Sequence, residues 1–372
     1  MKSILFVGMD VHKNSFNLCC YNRDTGEYVA ETRCAADVKL VSKFIEQIKK
    51  NLGNDEIEFK CGYEAGCLGY SVYKQLAALG IECDILAPTT MKLSAKNKVV
   101  KNDKMDARNI AENLGNGTYK AVHIPDEEDL AVKEFIRMIN EAKSACKKVK
   151  QQILAFLLRF GYQYDGKSKW TIAHIKWIRS LKLNEKLQRT LDEYMAEYEH
   201  QTDRIERYIG ELEEIFKSER YNEPVSKIRC FKGIDTTAGM TIQVETSDFD
   251  RFPNAKAYAS FVGLTCGEHS SGDKNNHTSI TKQGNSKLRT TYVECAQALV
   301  KGNIYVAKSK RLKARQSGQS SDVINYADRA VKRLMKKYQN LTARSVPHNK
   351  AVVAVARELA CFVWGMETGN IY

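Results

Sequence analysis

Four acidic residues occupy positions from which their carboxylates could act together. Asp10 and Glu64 each end an apolar run that reads as a buried strand. Acidic residues at the ends of neighbouring strands point into the crevice beside the sheet. Asp103 and Asp106 lie three residues apart, a spacing that puts both carboxylates on one face of a helix. The pattern predicts one shared acidic site.

Carboxylates that converge on one point repel each other unless cations lie between them. Hard divalent ions such as Mg²⁺ prefer oxygen ligands, and two such ions about 4 Å apart are the usual apparatus for displacement at phosphorus. Lys101 and Arg108 flank the aspartate pair, where we expect them to meet phosphates. A single one of the 45 acids would be read as a surface or capping residue. The combination predicts an Mg²⁺ site.

The polar loop around Ser270-Ser271-Gly272 is the second stretch whose residues could take part in a reaction. Such a sequence alone makes ordinary turns. A serine oxygen can, however, attack phosphorus where neighbouring cations stabilise the developing charge. The basic residues around this loop are Lys274, Lys282, Lys287 and Arg289.

Two histidines lie beside these candidate residues. His269 precedes the serines, and we expect a turn residue there in preference to a proton acceptor. His12 follows Asp10, and we expect it to support the turn or the ligands and not to bind metal itself.

The first 120 residues predict a mixed α/β domain. Strands that first meander and then alternate with helices indicate a mixed sheet covered by helices, an order that fits the ribonuclease-H-like architecture. The predicted elements are three strands within 4–32, a helix over 38–53, a strand over 57–63, a helix over 70–79 and a strand over 81–86.

Residues 121–220 predict a long helical arm. Apolar residues at three-four spacing over 126–160 and 181–217 are coiled-coil-like, and an antiparallel helical pair is the simplest arrangement. Such an arm is a spacer, a lever or an oligomerisation element.

Residues 221–372 predict a third, mainly helical domain. The segment at Gly233 resembles a helix-hairpin-helix turn, whose backbone amides would face phosphate. A helix over 255–262, a polar loop over 266–281 and a long helical tail to Trp364 follow.

Taken in order, these segments resemble the insertion-sequence one-ten transposases, or bridge recombinases, which are named for a DEDD tetrad. The matching pieces span about residues 4–300, and their combination is specific although single pieces are not. They are Gly8–Lys13, Tyr63–Gly66, Lys101–Arg108, Gly233-Ile234, Thr237-Ala238, Arg251–Pro253, Ser270–Gly272 and Ile280–Asn285.

The resemblance implies a RuvC-like first domain and a transposase domain at the other end. Asp10, Glu64, Asp103 and Asp106 would be the DEDD carboxylates that hold Mg²⁺. Ser271, or Ser270 in its place, would form a covalent phosphoserine link to DNA before strands are exchanged through a junction.

The resemblance also implies partners. These are double-stranded donor and target DNA, a structured non-coding guide RNA, and further copies of the chain in dimers and tetramers, with composite sites that pair the acidic domain of one subunit with the serine of another. The loop after Gly272 is less basic than expected for a segment that faces phosphate, which leaves its individual DNA contacts open.

The composition limits the classes of protein to which the chain can belong. Lysine and arginine outnumber acids by 58 to 45, a net charge of +13, which favours a polyanionic partner. No apolar run has the length of a membrane span, and an aspartate comes too early for a signal peptide. We therefore expect a prokaryotic cytoplasmic protein associated with the nucleoid and not with a membrane.

The eleven cysteines are expected to be reduced thiols, because their number is odd and no C-x-x-C occurs. Cys61 and Cys67 could share zinc, but no second ligand pair lies nearby.

Two alternatives stay open. One is a resolvase-like nuclease in which metal-activated water attacks DNA and the serine loop only binds it. The other is a catalytically inactive nucleic-acid-binding protein, against which the complete set of four acids argues.

Overall fold

The computed structural model describes residues 4–53, 56–92, 102–268, 277–302 and 307–371. The chain forms two compact units, Met1–Ile124 and Pro125–Tyr372. The division into three domains at 120 and 220 stays a prediction.

The first unit is built on a mixed five-stranded sheet, as the sequence predicts. Its strand order is β3-β2-β1-β4-β5, with β1 antiparallel to β2 and parallel to β4, and β4 parallel to β5. The elements are β1 (Ile4–Val11), β2 (Ser15–Asn22), β3 (Glu27–Ala35), α1 (Val38–Leu52), β4 (Glu58–Glu64), α2 (Ser71–Ala78), β5 (Glu82–Leu86), a 3₁₀ turn (Pro88–Thr90) and α3 (Asp103–Asn116).

Helices cover both faces of this sheet. On one face, Leu5, Val7 and Met9 of β1 pack into a core with the apolar sides of α1 and α2. On the other face, Cys19 of β2 packs against Ala107 of α3. Because successive side chains of a strand alternate between faces, the even-numbered residues of β1 lie on the side of α3.

The second unit is mainly helical. The long helices α4 and α6 run antiparallel, since Val132 lies in one core cluster with Phe216 while Phe156 lies in another with Leu191. The elements are α4 (Glu127–Arg159), α5 (Ile172–Ser180), α6 (Glu185–Phe216), α7 (Glu219–Ile228), α8 (Thr236–Thr246), α9 (Ala255–Val262), β6 (Cys266–Glu268), β7 (His277–Ile280), α10 (Ser286–Val300), α11 (Lys310–Gln316), α12 (Ser321–Ala343) and α13 (His348–Glu367).

One expectation for the second unit differs from the structure. The polar loop over 266–281 contains the strands β6 and β7, which pair antiparallel. The predicted helical tail consists of four helices, α10 to α13. Gly302 and Gly318 take left-handed φ values of 90° and 85° in two of the connections, and Pro347 precedes α13.

All eleven cysteines are free thiols. Across the stretches that the structure describes, none of the helices is both long enough and apolar enough to cross a bilayer.

Candidate metal centre

Asp10 and Glu64 lie at the ends of two parallel strands that run side by side. The ladder between β1 and β4 runs in register through Gly8–Gly62 to Met9–Tyr63. The next residue on each strand is acidic, and both acids lie at the carboxyl ends of these strands.

Glycines two residues before each acid let α3 approach the sheet. A Cβ on Gly8 would collide with the backbone of Ala107 and Ala111, and one on Gly62 would lie 3.1 Å from Leu114 Cδ1 of α3. Residues i and i+2 share a face of a strand. Asp10 therefore lies on the face that α3 covers.

The first turn of α3 supplies the other two acids. Asn102 is the N-cap, and its side chain accepts a hydrogen bond of 2.9 Å from the Met105 backbone N–H. Asp103 and Asp106 follow within this turn, where the positive end of the helix dipole favours negative charge. The helix start thus fixes both side chains.

Asp10, His12 and Asp103 form a cluster of possible ligand atoms. Their nearest ligand atoms all lie within 4.8 Å of one another. His12 Nε2 is 3.1 Å from Asp10 Oδ2 and 3.9 Å from Asp103 Oδ1. The Asp10 side chain is 16% exposed, against 55% for His12 and 52% for Asp103. The cluster is therefore open to solvent on one side.

The electrostatics of Asp10 favour a bound cation. Burial raises the pKa of Asp10, and the charges of Asp103 and Asp106 raise it further, while His12 acts in the opposite direction. Asp10 Oδ2 is buried with His12 Nε2 3.1 Å away, and it has no hydrogen-bond partner among the residues that the structure describes. A divalent ion would satisfy this oxygen and offset the repulsion. The carboxylates fit such an ion.

Comparison with known proteins gives this site a context. A model of IS110-type DEDD transposases matches residues 7–161, and one described as "Transposase IS116/IS110/IS902 family" matches residues 225–310. The transposase for insertion sequence element IS1533 of Leptospira borgpetersenii is 31% identical over 347 residues, which are 92% of this chain and 97% of that protein. The chain belongs to this family of insertion-sequence transposases.

The transposase is also similar to the one for insertion sequence element IS1111A of Coxiella burnetii. That protein is 24% identical over 81% of this chain and 79% of its own length. Membership confirms the resemblance found in the sequence. It makes the protein, in general terms, an enzyme that cleaves and transfers DNA, and its DEDD name agrees with a divalent cation at the acidic cluster.

His12 belongs to the group of neighbouring ligand atoms, although its sequence position alone favoured a supporting role. Its Nε2 atom lies near the carboxylates of both Asp10 and Asp103. Within the described chain, Glu64 and Asp106 are not members of that three-residue group, and their predicted metal roles stay predictions. The signal for His12 was its place two residues after Asp10, just beyond the same strand.

Arg108 of the transposase is engaged within its own unit. It forms an ion pair with Glu31 of β3, with Nη2 2.9 Å from Oε2, and lies 4.6 Å from the centre of the Tyr28 ring. The hydrogen bond from Arg108 outweighs burial and lowers the pKa of Glu31 to about 2. A phosphate contact of Arg108, as predicted, would have to share this guanidinium.

Gly233 lies in the turn between α7 and α8. Its φ is 97°, and a Cβ there would collide with the Cys295 carbonyl of α10. The side chain of Asp235 caps α8 by accepting a hydrogen bond of 2.8 Å from the Ala238 backbone N–H. The phosphate contact predicted for this turn stays a prediction.

The basic residues after the serine loop lead into α10. Lys282 and Lys287 are exposed, and Arg289 is half-buried and donates a hydrogen bond of 3.2 Å to the Val262 carbonyl. Lys101, His269, Ser270, Ser271 and Lys274 lie outside the described residues.

Proposed function

We propose that this transposase cuts and joins DNA through attack of the Ser271 hydroxyl on a phosphodiester, assisted by Mg²⁺ held at the acidic cluster. The observation that carries the proposal is the group formed by Asp10, His12 and Asp103, with a buried carboxylate oxygen that has no hydrogen-bond partner in the part of the chain that the structure describes. Family membership supplies the DNA substrate.

The proposed fold of the first unit is RuvC-like. The strand order β3-β2-β1-β4-β5, with one antiparallel meander and two parallel neighbours, supports this assignment. In such a sheet the acids at the ends of β1 and β4 would work with the acids of α3.

The four carboxylates would share the work. Asp10 and Asp103 would bind metal directly, and His12 would bind or orient a ligand beside them. Glu64 and Asp106 would complete the set once substrate phosphate enters. A divalent ion bound there stabilises negative charge that develops on phosphate oxygens.

The covalent step would exchange one ester for another. The Ser271 oxygen forms a bond to phosphorus, the bond from phosphorus to one deoxyribose oxygen breaks, and the serine proton goes to a base or to solvent. The departing deoxyribose hydroxyl takes up a proton. Attack by a hydroxyl of a second strand reverses the step and joins the new strands.

Lys282, Lys287 and Arg289 follow the serine loop and would hold phosphate there. The guide RNA, the dimers and tetramers with composite sites, and the location at the nucleoid belong to the same proposal. The net charge of +13 supports a polyanionic partner of this kind.

A denaturing gel tests the chemistry. The protein is incubated with Mg²⁺, labelled donor DNA and RNA transcribed from the flank of the element. Wild type should give a slow-migrating, protease-sensitive DNA adduct, and Ser271→Ala should give none. Asp10→Asn should also abolish the adduct, whereas Asp24→Asn, an exposed turn acid at the other end of β2, should leave it intact.

Each other outcome favours a different reaction. Cleavage without an adduct in wild type and in Ser271→Ala would replace the serine by water as nucleophile. An adduct that persists in Ser271→Ala and disappears in Ser270→Ala would move the role to the neighbouring serine. If Asp10→Asn left adduct formation intact, the metal role of the acidic cluster would be wrong.

A further inference from the structure

The excess positive charge of the chain is concentrated in one short segment. Residues 301–344 contain twelve lysines and arginines and only two aspartates. Most of this segment lies beyond the two stretches matched by family models, which end at residues 161 and 310. The reaction proposed for the acidic cluster and the serine loop assigns no role to these cations.

The helix α12 arranges half of these cations in a line. One side of the helix is buried in the core of the second unit, through residues such as Tyr326, Ala330 and Leu334. The basic residues recur at intervals of three and four on another side. They are Arg329, Lys332, Arg333, Lys336, Lys337 and, at the C-cap, Arg344, and we call them the α12 stripe.

A groove of about 640 Å³ follows the α12 stripe. Besides the six cations, its lining includes Asn340, Leu341 and Glu358 of α13. At a rise of 1.5 Å per residue the stripe is roughly 22 Å long. That length corresponds to about six steps of duplex DNA at 3.4 Å per step.

Glu358 orders part of the stripe without neutralising the rest. Its carboxylate pairs with Arg333 and, at 2.7 Å, with Lys337. Arg329 donates a hydrogen bond of 3.1 Å to the Ile371 carbonyl. Lys332 and Lys336 are exposed and form no ion pair with any residue that the structure describes. Three cations are therefore held in place, and two exposed lysines lie between them.

We propose that the α12 stripe binds the sugar–phosphate backbone of duplex DNA. The choice of DNA rests on the proposed action of the protein on DNA. None of the described residues that line the groove is aromatic, which disfavours stacking on single-stranded bases. A row of cations that recur at intervals of three and four along one helix fits contact with successive phosphates of a backbone.

Neutralising the two exposed lysines tests this assignment. Lys332→Gln combined with Lys336→Gln should weaken binding to a duplex of unrelated sequence about tenfold and lower the salt slope of log K by about 2. Affinity is measured by fluorescence anisotropy over a salt series, with EDTA present so that cleavage cannot occur. The loss should be the same for duplexes of different sequence.

A matched pair controls for loss of charge. Lys143 and Lys147 also lie four residues apart on the exposed side of a long helix, α4. Lys143→Gln with Lys147→Gln should leave affinity within about twofold of wild type. Lys332→Arg with Lys336→Arg keeps the charge and should bind like wild type. Circular dichroism melts check that all variants are folded.

Several results would overturn the proposal. These are an unchanged salt slope in the α12 double variant, an equal loss in the α4 pair, or a loss confined to an RNA hairpin of the same length, which would make RNA the occupant. Because binding is measured without metal, failure of the serine and metal chemistry leaves this test unaffected. Conversely, a double variant that binds like wild type leaves adduct formation by Ser271 untouched.

Discussion

Asp10 owes its position to a short sequence pattern that occurs twice. The pattern is a glycine followed two residues later by an acid, in Gly8-Met9-Asp10 and in Gly62-Tyr63-Glu64. The glycine lets α3 approach the strand closely, and the acid lies on the same face. The acids could be predicted because they end apolar runs. The position of His12 could not, because the direction of a side chain just beyond a strand depends on the turn that follows.

Contacts between residues far apart in the chain could not be predicted from the sequence either. Arg108 was expected to meet phosphate, and nothing in its spacing indicated that Glu31 on β3 would face it. Glu31 pairs across the sheet with Cys19, which lies under α3. Only the order of the strands brings that carboxylate and the helix together.

Glu367, the last residue of α13, provides a pH-dependent prediction. Burial raises the pKa of Glu367 to about 8, and its Oε1 atom has no hydrogen-bond partner. Between about pH 4.5 and pH 8 the folded state keeps a proton that the unfolded state has lost. Stability should therefore fall as pH rises through this window and level off above it.

Glu367→Gln should remove this dependence and make the protein more stable than wild type at pH 8. Because the Glu367 side chain is partly exposed, we expect the free energy of unfolding at pH 8 to rise by about 2 kcal/mol, which is less than the full pKa shift implies. Urea unfolding at pH 5, 7 and 9 measures this dependence in wild type and in the variant.

Glu358 is the matched control. Burial would raise the pKa of Glu358, but hydrogen bonds from Lys337 and Arg333 lower it. Glu358→Gln should therefore destabilise the protein at pH 7. A flat wild-type profile between pH 5 and pH 9 would contradict the prediction.

The regular elements of the first unit were readable from sequence, and those of the second only in part. Short apolar runs bounded by turn residues predicted the strands of the sheet, and long three-four periodicity predicted α4 and α6. The short strand β6 was missed because three residues, Cys266 to Glu268, carry no alternation. The helix α5 was missed because its nine residues lie in a connection rich in aromatic and basic residues.

The start of α3 makes a prediction about the metal centre. Asn102→Ala removes the side chain that accepts a hydrogen bond from Met105 N–H, which should cost about 1 kcal/mol of stability. The first turn, with Asp103 and Asp106, should fray, and affinity for Mn²⁺ as a probe of the Mg²⁺ site should fall several-fold. Isothermal titration measures the affinity. Asn102→Ser keeps a capping oxygen and should retain both the stability and the Mn²⁺ affinity of wild type. Equal metal affinity in the two variants would mean that the cap does not influence the metal site.

The two compact units divide the proposed chemistry between them. The acidic cluster lies within Met1–Ile124, and the serine loop belongs to Pro125–Tyr372. Residues 301–344, which include the α12 stripe, also belong to the second unit, so most of the net positive charge is remote in sequence from the carboxylates that would repel DNA. Spacing along the chain cannot indicate whether an acidic cluster works with the serine of its own subunit or of another. Family resemblance predicts the latter.

Mixing two inactive variants tests that prediction. A complex of Asp10→Asn and Ser271→Ala subunits would pair the intact acidic cluster of one with the intact serine of the other. If subunits exchange freely in a dimer with two composite sites, about a quarter of all sites should be active. The readout is the covalent DNA adduct on a denaturing gel, with tags of different size on the two variants. The adduct should form on the Asp10→Asn subunit, because that subunit carries the serine. Exchange is verified separately by pull-down through one tag. Verified exchange without any adduct would mean that each site is built within a single subunit.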